Sequence, residues 1–201
     1  IFYTKIEDQE GNVVIDKTVD RESHQVISEA NAWLLTSAMQ DVVTKGTGGA
    51  VNFSGMTIAG KTGTTSDDKD VWFVGYTPYY TAGVWAGYDI PTSKLKGTGE
   101  KNYHKKLWKS VMSRIHEDLE NKAFEKPEDI VQVAVCSESG KLPVAGLCDC
   151  DQRGSCVVNE YFVKGFEPKE TCDIHIMAKV CHVTGQLATD MCYWPLEQVR
   201  V

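Results

Sequence analysis

The sequence lacks a long apolar run, and it lacks the excess of positive charge that a general nucleic-acid binder needs. Nowhere in the 201 residues do eighteen apolar residues follow one another, so we expect no membrane-spanning segment. The net charge is −7 and no basic stripe is visible, which argues against broad binding to nucleic-acid phosphates. The chain begins at Ile1 without a signal peptide, and we therefore expect it to be a piece of a longer protein.

Cysteine, in contrast, is abundant and confined to one part of the chain. The apolar content of 42% is that of a globular protein, and the length suits one domain or two small ones. All seven cysteines lie between Cys136 and Cys192. Such a density is too high for an ordinary cytosolic domain and indicates an oxidising or metal-binding setting.

The stretch from Ile58 to Thr65 combines a lysine, several hydroxyls and two glycines, and it fits two motifs. The first is the nucleotide loop G-x-x-x-x-G-K-[ST], which residues 55–62 match at every fixed position. That loop requires a buried strand before it and a helix after it, so that backbone N–H groups can hold phosphate. Residues 45–54 are instead rich in glycine, and residues 63–68 are poor helix formers with two carboxylates. A nucleotide-binding protein therefore remains only a remote alternative.

The second motif is Lys61-Thr62-Gly63, which occurs on a strand in penicillin-recognising serine enzymes. Residues 56–59 lead into it with the β-branched and apolar mixture of a strand. Gly60 and Gly63 leave bare backbone beside the lysine, where a substrate chain can pair with the strand. Thr62 and Thr64, two residues apart, are predicted to point to the same side, where their hydroxyls could bind a carboxylate.

A longer stretch makes the second motif much more specific. Residues 59–65 are followed by Lys69-Asp70-Val71-Trp72-Phe73-Val74-Gly75-Tyr76-Thr77-Pro78 and then by Ala82-Gly83-Val84-Trp85-Ala86-Gly87-Tyr88-Asp89. This run closely resembles the transpeptidase domain of bifunctional, class A penicillin-binding proteins. The resemblance implies a peptidoglycan D,D-transpeptidase that acylates a serine with the D-Ala-D-Ala end of a stem peptide. It also implies acylation by β-lactams, which mimic that end.

The resemblance assigns roles to the residues of the motif. Lys61 would set the electrostatics of the cleft, and the Thr64 backbone N–H would complete the oxyanion hole. Thr62 and Thr64 would hold the substrate carboxylate, and Gly63 and Thr65 complete the predicted substrate-binding stretch. No cofactor and no metal are expected.

The two other motifs of the family are missing in usable form. S-x-N does not occur, and S-x-x-K occurs at Ser66–Lys69 and Ser93–Lys96. Neither opens an apolar helix, and both follow Lys61, whereas the family's nucleophile precedes it. We interpret both as chance matches, so this chain contains no nucleophile, and in isolation it is expected to be inactive.

The resemblance also implies where the protein works and what it meets. We expect the outer face of the bacterial membrane or the cell wall, with stem peptides, β-lactams and the upstream part of the same protein as partners. Contact with the membrane would come only through that upstream part, and no nucleic acid is expected. The alternative of another class is a non-catalytic extracellular binding module that contacts the wall or a partner protein.

Patterns elsewhere predict an α+β fold with an antiparallel sheet flanked by helices. The resemblance implies that these form α/β/α layers, as part of a serine transpeptidase or β-lactamase-like fold. Residues 2–6 and 13–15 suggest a hairpin, and residues 71–76 and 80–88 suggest two further strands. Helical spacing predicts one helix from Ser28 to Lys45 and another over residues 103–119. His104 and His116, among the charges of the second helix, are expected to be solvated.

The C-terminal part contains an internal repeat and is predicted to form a separate cysteine-rich tail. We place a transpeptidase portion at 1–121 and the tail at 122–201. Units 136–148 and 181–192 share a cysteine, three residues, glycine, one residue, leucine and a closing cysteine. Between them, residues 160–175 resemble a stretch in the C-terminal tails of such proteins from Gram-positive bacteria.

We expect each unit to be closed by its own disulfide, Cys136–Cys148 and Cys181–Cys192, because each loop encloses little core. A zinc site is the competing interpretation. Its ligands would come from Cys148, Cys150, Cys156 and the segment 172–175. The absence of a C-x-x-C pair favours the disulfides.

Overall fold

The computed structural model describes residues 3–18, 24–90 and 93–201. Within these ranges the chain begins with an antiparallel hairpin of β1 (Lys5–Glu7) and β2 (Val13–Asp16). Gly11 supplies its turn at φ 86°, a conformation that glycine adopts without steric cost. The predicted hairpin is confirmed, although Phe2, where its first strand was expected to start, lies outside the described residues.

Helix α1 (Glu29–Thr44) begins and ends where the sequence predicts. The Ser28 hydroxyl accepts a hydrogen bond from the Asn31 N–H at 3.2 Å. This N–H group lies in the first turn, where the helix itself offers no carbonyl to accept it. The chain then reaches a three-stranded antiparallel sheet of β3 (Ala59–Thr64), β4 (Asp70–Tyr76) and β5 (Thr81–Gly87), in the order β3-β4-β5. The predicted antiparallel strands are confirmed, and within the described residues the lysine strand lies at the edge of the sheet.

Helix α2 (Gly97–Ile115) starts six residues earlier and ends four residues earlier than predicted. It covers one face of the sheet, where the Trp108 ring meets the Phe73 ring edge-on at 5.1 Å and both side chains are fully buried. The Trp108 Nε1–H donates to the Ala82 carbonyl at 2.9 Å. An edge-on aromatic pair with a satisfied indole N–H fixes the orientation of the helix on the sheet.

The expectation that His104 and His116 are solvated is wrong, since both are buried. His116 lies beyond the last turn of α2, and its ring nitrogens contact the Thr77 hydroxyl at 2.9 Å and the Met112 carbonyl at 2.6 Å. A carbonyl only accepts, so Nδ1 carries the proton and Nε2 accepts from Thr77.

The C-terminal part forms two similar two-stranded antiparallel units. The first pairs β6 (Ile130–Cys136) with β7 (Val157–Val163), and the second pairs β8 (Ile176–Cys181) with β9 (Pro195–Arg200). Each leading strand ends in the first cysteine of the sequence repeat and turns at a glycine with φ 70°. The repeat in sequence is therefore a repeat in backbone geometry. No helix in the described ranges has the length and apolar character that crossing a membrane requires.

Candidate functional site

The strand β3 presents the Lys61-Thr62-Gly63 motif at the edge of the sheet. Its register pairs Lys61 with Val74 and Gly63 with Trp72 on β4. Because Lys61 and Thr62 lie in the middle of a strand and the strand continues to Thr64, no helix follows the lysine. The phosphate-binding geometry of a nucleotide loop is therefore absent here, and the remote nucleotide alternative is wrong.

One edge of β3 is open within the described part of the chain, where β4 is its sole strand partner. The Thr65 N–H donates to the Asp70 carbonyl across the β3–β4 pair at 3.0 Å. Since successive N–H groups along a strand point in opposite directions, the N–H of Thr64 points away from β4, to the open edge. The geometry thus leaves the Thr64 N–H available to an incoming acceptor.

The Lys61 side chain is exposed and lies on the face of β3 opposite Thr62 and Thr64. Its Nζ donates to the Thr62 carbonyl at 2.9 Å, so the ammonium stays beside the backbone of the open edge. An ammonium held there adds positive charge next to the Thr64 N–H. The two groups together favour an anion at this edge.

The three hydroxyls of the motif have different surroundings. Thr62 and Thr64 share one face, as predicted, and the Thr62 Oγ1 lies 2.9 Å from the Oγ1 of Thr47 in the loop after α1. The Thr65 hydroxyl accepts from the Asp70 N–H at 2.9 Å and closes the turn between β3 and β4. Thr64 is exposed at the end of the strand, so its hydroxyl is accessible to a ligand.

The two S-x-x-K matches do not resemble a nucleophile site. Ser66 lies in the short 3-10 turn Ser66–Asp68, in which Asp67 has φ 67°, and Lys69 follows that turn. In the second match, Ser93 and Lys96 precede the first turn of α2. Neither pair lies on an apolar helix with its lysine one turn after its serine, which is the arrangement that activates a serine in this class of enzyme.

A second cluster of reactive side chains lies in the C-terminal part. All seven cysteines are free thiols in the structure, so neither predicted disulfide is formed there. Cys136, Cys148, Cys172 and His175 are all buried, and their ligand atoms lie within 4.8 Å of one another. The zinc interpretation had included Cys150 and Cys156, which lie outside this group, and it had omitted Cys136, which lies inside.

The sequence contained a signal for this cluster that the spacing argument missed. Cys172 and His175 form a C-x-x-H pair, which brings two ligands together within one turn just as C-x-x-C does. The repeat already placed Cys136 beside Cys148, but nothing local in the sequence joined that pair to Cys172 and His175. A long-range ligand of this kind requires the topology.

The second repeat unit has the same turn but a smaller set of ligands. The Gly185 N–H donates to the Cys181 carbonyl at 2.9 Å, as the Gly140 N–H does to Cys136 at 2.8 Å. The pKa of Cys181 is lowered to about 6, first by the Thr184 hydroxyl and next by Cys192, with backbone N–H donors adding to the effect. Cys181 and Cys192 are therefore in contact, as a pair that has no third thiol.

Two family models match the chain, one on each part. The penicillin-binding protein transpeptidase domain matches residues 1–115, and the C-terminal domain of penicillin-binding protein 1A matches residues 126–177. The first covers more than half of the chain. The predicted boundary near residue 121 lies between the two matches and remains a prediction.

Individual relatives agree with these models. Penicillin-binding protein 1A of Clostridium botulinum (strain Langeland) is 39% identical over 189 residues, which is 94% of this chain and 22% of that protein. The protein of the same name from Clostridium perfringens (strain ATCC 13124) is 36% identical over 174 residues, 87% of this chain and 20% of that protein. The chain therefore spans about a fifth of the length of these relatives.

A solved structure shares the fold. The crystal structure of penicillin-binding protein 1A from Haemophilus influenzae matches with a TM-score of 0.60 at 22% identity, covering 84% of this chain and 29% of that one. The likeness concerns the fold, and it agrees with an antiparallel sheet flanked by helices. With the edge strand, its motif and the family match in place, the chain belongs to the penicillin-binding protein transpeptidase family.

Proposed function

We propose that this chain supplies the K-T-G edge strand of a peptidoglycan D,D-transpeptidase that cross-links stem peptides and is acylated by β-lactams. The observation that carries the proposal is the open edge of β3, where the Thr64 N–H and the Lys61 ammonium face the same space. Oxyanion sites in acyl transfer are built from such fixed N–H donors, which stabilise charge as it develops on the carbonyl oxygen.

In the proposed reaction a serine oxygen attacks the carbonyl carbon of the terminal D-Ala-D-Ala bond, and the C–N bond breaks as the leaving amine takes a proton. An amine of a neighbouring stem peptide then displaces the serine and forms the cross-link. The carbonyl oxygen becomes negative in each addition step, and the Thr64 N–H binds it. The Thr62 and Thr64 hydroxyls bind the terminal carboxylate, with Gly63 and Thr65 bordering the peptide.

Lys61 contributes charge rather than a covalent bond. Its ammonium lies beside the edge at which both the oxyanion and the substrate carboxylate would sit. The substrate meets this charge with little competing water, since a peptide paired along β3 would displace solvent from the open edge. The ammonium therefore raises the affinity for the anionic end of the substrate and lowers the barrier to acylation.

The nucleophilic serine would come from the upstream part of the same protein, which we propose as the main partner of this chain. The face of the sheet that carries Lys61 also carries Trp72, Val74 and Trp85, each between 45% and 47% exposed. Such a set of large apolar side chains beside the motif is suited to packing against further protein. The same packing would bring the serine to the edge of β3.

The proposed place of action is the outer face of the bacterial membrane, where peptidoglycan is assembled. Stem peptides ending in D-Ala-D-Ala and β-lactams are the proposed ligands. The upstream part would hold the protein at the membrane.

The test is the rate at which the full-length protein is acylated by a fluorescent penicillin. Lys61→Ala is expected to slow acylation by about 10²–10³-fold, the loss typical of one preorganised electrostatic group. The matched control is Lys109→Ala, which removes the same charge from an exposed position on α2 and is expected to leave the rate unchanged. Equal rates for the two variants would remove Lys61 from the mechanism.

A further inference from the structure

We propose that Cys136, Cys148, Cys172 and His175 bind one zinc ion as a structural Cys₃His site in the C-terminal part of the chain. The site goes beyond the transpeptidase role and does not depend on it. It also replaces the predicted Cys136–Cys148 disulfide, because both sulfurs become zinc ligands.

The distances fit a tetrahedral metal site. The Sγ atoms of Cys172, Cys136 and Cys148 lie 3.3, 3.5 and 3.7 Å from the Nδ1 atom of His175. Zinc bonds to sulfur and nitrogen with tetrahedral angles place a sulfur about 3.6 Å from a nitrogen ligand. The three distances scatter around that value, and all four ligand atoms lie within 4.8 Å of one another.

The cluster is one buried centre of the C-terminal part, in which β6, β8 and β9 bury further aliphatic side chains. Four cysteines, the three ligands and Cys156, form the buried centre, and the partly buried side chains around them are Val144, Val157 and Ile174. So few aliphatic groups give little hydrophobic stabilisation. Small domains with cores of this size depend on disulfides or metals, and binding of a structural zinc contributes directly to folding.

A backbone N–H group contacts one of the sulfurs, as in thiolate sites. The Val144 N–H donates to the Cys148 sulfur at 3.3 Å. Donors aimed at sulfur stabilise a negative thiolate, which is the form that binds zinc.

A carboxylate lies behind the histidine. The His175 Nε2 atom is 3.4 Å from an Asp151 carboxylate oxygen, and Asp151 is buried and held by Arg153 through Nε at 3.0 Å. At this distance Nε2 makes no hydrogen bond in the structure, but a proton on Nε2 would face the carboxylate and leave the Nδ1 lone pair aimed at the three sulfurs. Carboxylate–histidine–zinc arrangements fix the imidazole in this way.

The same geometry decides between a metal and a disulfide. A Cys136–Cys148 bond would use two of the three thiols. It would not explain why Cys172 and the buried His175 ring lie against the same two sulfurs. A metal uses all four groups. Three thiolates and one imidazole in a tetrahedral arrangement select zinc over hard cations such as Mg²⁺ and Ca²⁺.

Four protein ligands make the site closed, so its role is to hold segments together rather than to activate water. Cys136 ends β6, Cys148 lies in the loop before β7, and Cys172 and His175 immediately precede β8. The ion would therefore tie the first repeat unit to the start of the second. A domain fixed in this way gives β8 and β9 a defined position relative to β6 and β7.

The experiment measures zinc in the purified 201-residue chain, by mass spectrometry of the metal after desalting in buffer without chelator. About one zinc ion per chain is expected for the wild type and for Cys150→Ser, the control at an exposed cysteine outside the cluster. Cys172→Ser is expected to lose most of the zinc. Asp151→Asn is expected to weaken zinc binding about 10–100-fold, since it removes the group that orients His175.

A second variant keeps the test valid if Cys172→Ser does not fold. His175→Cys preserves a four-ligand set and is expected to retain about one zinc ion per chain. With cobalt in place of zinc, its sulfur-to-metal absorption should be stronger than that of the wild type because a fourth thiolate binds. A cobalt spectrum that His175→Cys leaves unchanged would show that residue 175 is not a ligand.

The decisive sample is the chain after secretion into medium that contains zinc. The proposal is overturned if that protein carries a Cys136–Cys148 disulfide and less than a tenth of a zinc ion per molecule. Full zinc content in folded Cys172→Ser would overturn the assigned ligand set. Protection of Cys136, Cys148 and Cys172 from alkylation in the native zinc-loaded chain, together with rapid alkylation of Cys150, would support the proposal.

Discussion

His104 shows at the scale of a single residue how a charged sequence context can mislead. It is followed by two lysines, yet it is 2% exposed, and neither ring nitrogen has a hydrogen-bond partner among the described residues. Burial lowers the pKa of His104, and the charge of Lys105 lowers it further. The folded protein therefore favours the neutral ring, and the stability of the fold depends on pH through this residue.

The direction of that dependence follows from the lowered pKa. As pH falls below about 6.5, the unfolded chain binds a proton at residue 104 before the folded chain does, so stability declines from there down to the folded pKa. Above about pH 6.5 the ring is neutral in both states, so His104 makes no contribution to the pH dependence of stability. We predict that lowering the pH from 7.5 to 5.5 destabilises the wild type more than His104→Leu.

Urea unfolding of the 201-residue chain at the two pH values measures this difference. The other titrating groups are common to both proteins, so they cancel in the comparison. Equal losses of stability in the two proteins would mean that His104 gains its proton in the folded chain as readily as in the unfolded one.

The residues of the edge strand were easier to predict than the buried histidines. Lys61, Thr62 and Thr64 lie in a motif that is contiguous in sequence, and the alternation of a strand fixes which of them share a face. The burial of His104 and His116 depends on how α2 rotates against the sheet. That rotation is set by the Phe73–Trp108 contact, which joins residues far apart in sequence.

At the scale of elements, the close packing of β3 on β4 explains why the motif is preceded by glycine. A Cβ atom at Gly60 would lie 2.6 Å from the Phe73 ring and 2.8 Å from the Val74 carbonyl oxygen. The strand therefore approaches its neighbour so closely that no side chain fits there. This contact holds the lysine strand against the sheet at the position where its other edge stays open.

We predict that Gly60→Ala destabilises the chain by about 1–3 kcal/mol, the range typical of overpacking in a filled core. Gly99→Ala is the matched control. Gly99 lies on α2 with nothing within 4 Å of the added methyl group, and a glycine-to-alanine change in a helix stabilises by up to about 1 kcal/mol. Urea unfolding measures the change in the free energy of unfolding, which should have opposite signs in the two variants. A Gly60→Ala chain as stable as the wild type would contradict the close packing of β3 on β4.

Elements with local signals were predicted well, and those that depend on distant contacts were not. The ends of α1 follow from Ser28 and the segment at Lys45, and the strands β4 and β5 follow from apolar runs and a short turn. The start of α2 at Gly97 was missed because residues 97–100 include two glycines and resemble a loop. The first turn is exposed and is held by the Glu100 carboxylate, which accepts from the Lys96 N–H and the Tyr88 hydroxyl, contacts that propensity does not show.

At the scale of the whole molecule, the chain combines part of a transpeptidase sheet with two repeated cysteine units. The repeat was visible in the sequence, but the two units differ in what surrounds their cysteines. The first unit meets Cys172 and His175, whereas the second has Cys181 and Cys192 alone in contact. Which pairs are bridged could not be derived from spacing, because Cys172 and His175 join the first unit from outside the repeat.

We predict that Cys181 and Cys192 form a disulfide in secreted protein. Closing a loop of this size would stabilise the chain by roughly 3 kcal/mol in the chain-entropy model. Mass spectrometry of non-reduced peptides measures the linkage, and Cys181→Ser with Cys192→Ser measures its contribution to stability. A bond from Cys181 to any cysteine other than Cys192 would contradict the prediction.

The central claim is that β3 forms the edge against which the acyl group is transferred. The most direct measurement is a crystal structure of the full-length protein acylated by a penicillin. We predict that the carbonyl oxygen of the bound penicillin lies about 2.7–3.1 Å from the Thr64 backbone N. Its carboxylate should contact the hydroxyl of Thr62 or Thr64. A penicillin bound to the serine with its carbonyl oxygen and carboxylate both away from β3 would contradict the account.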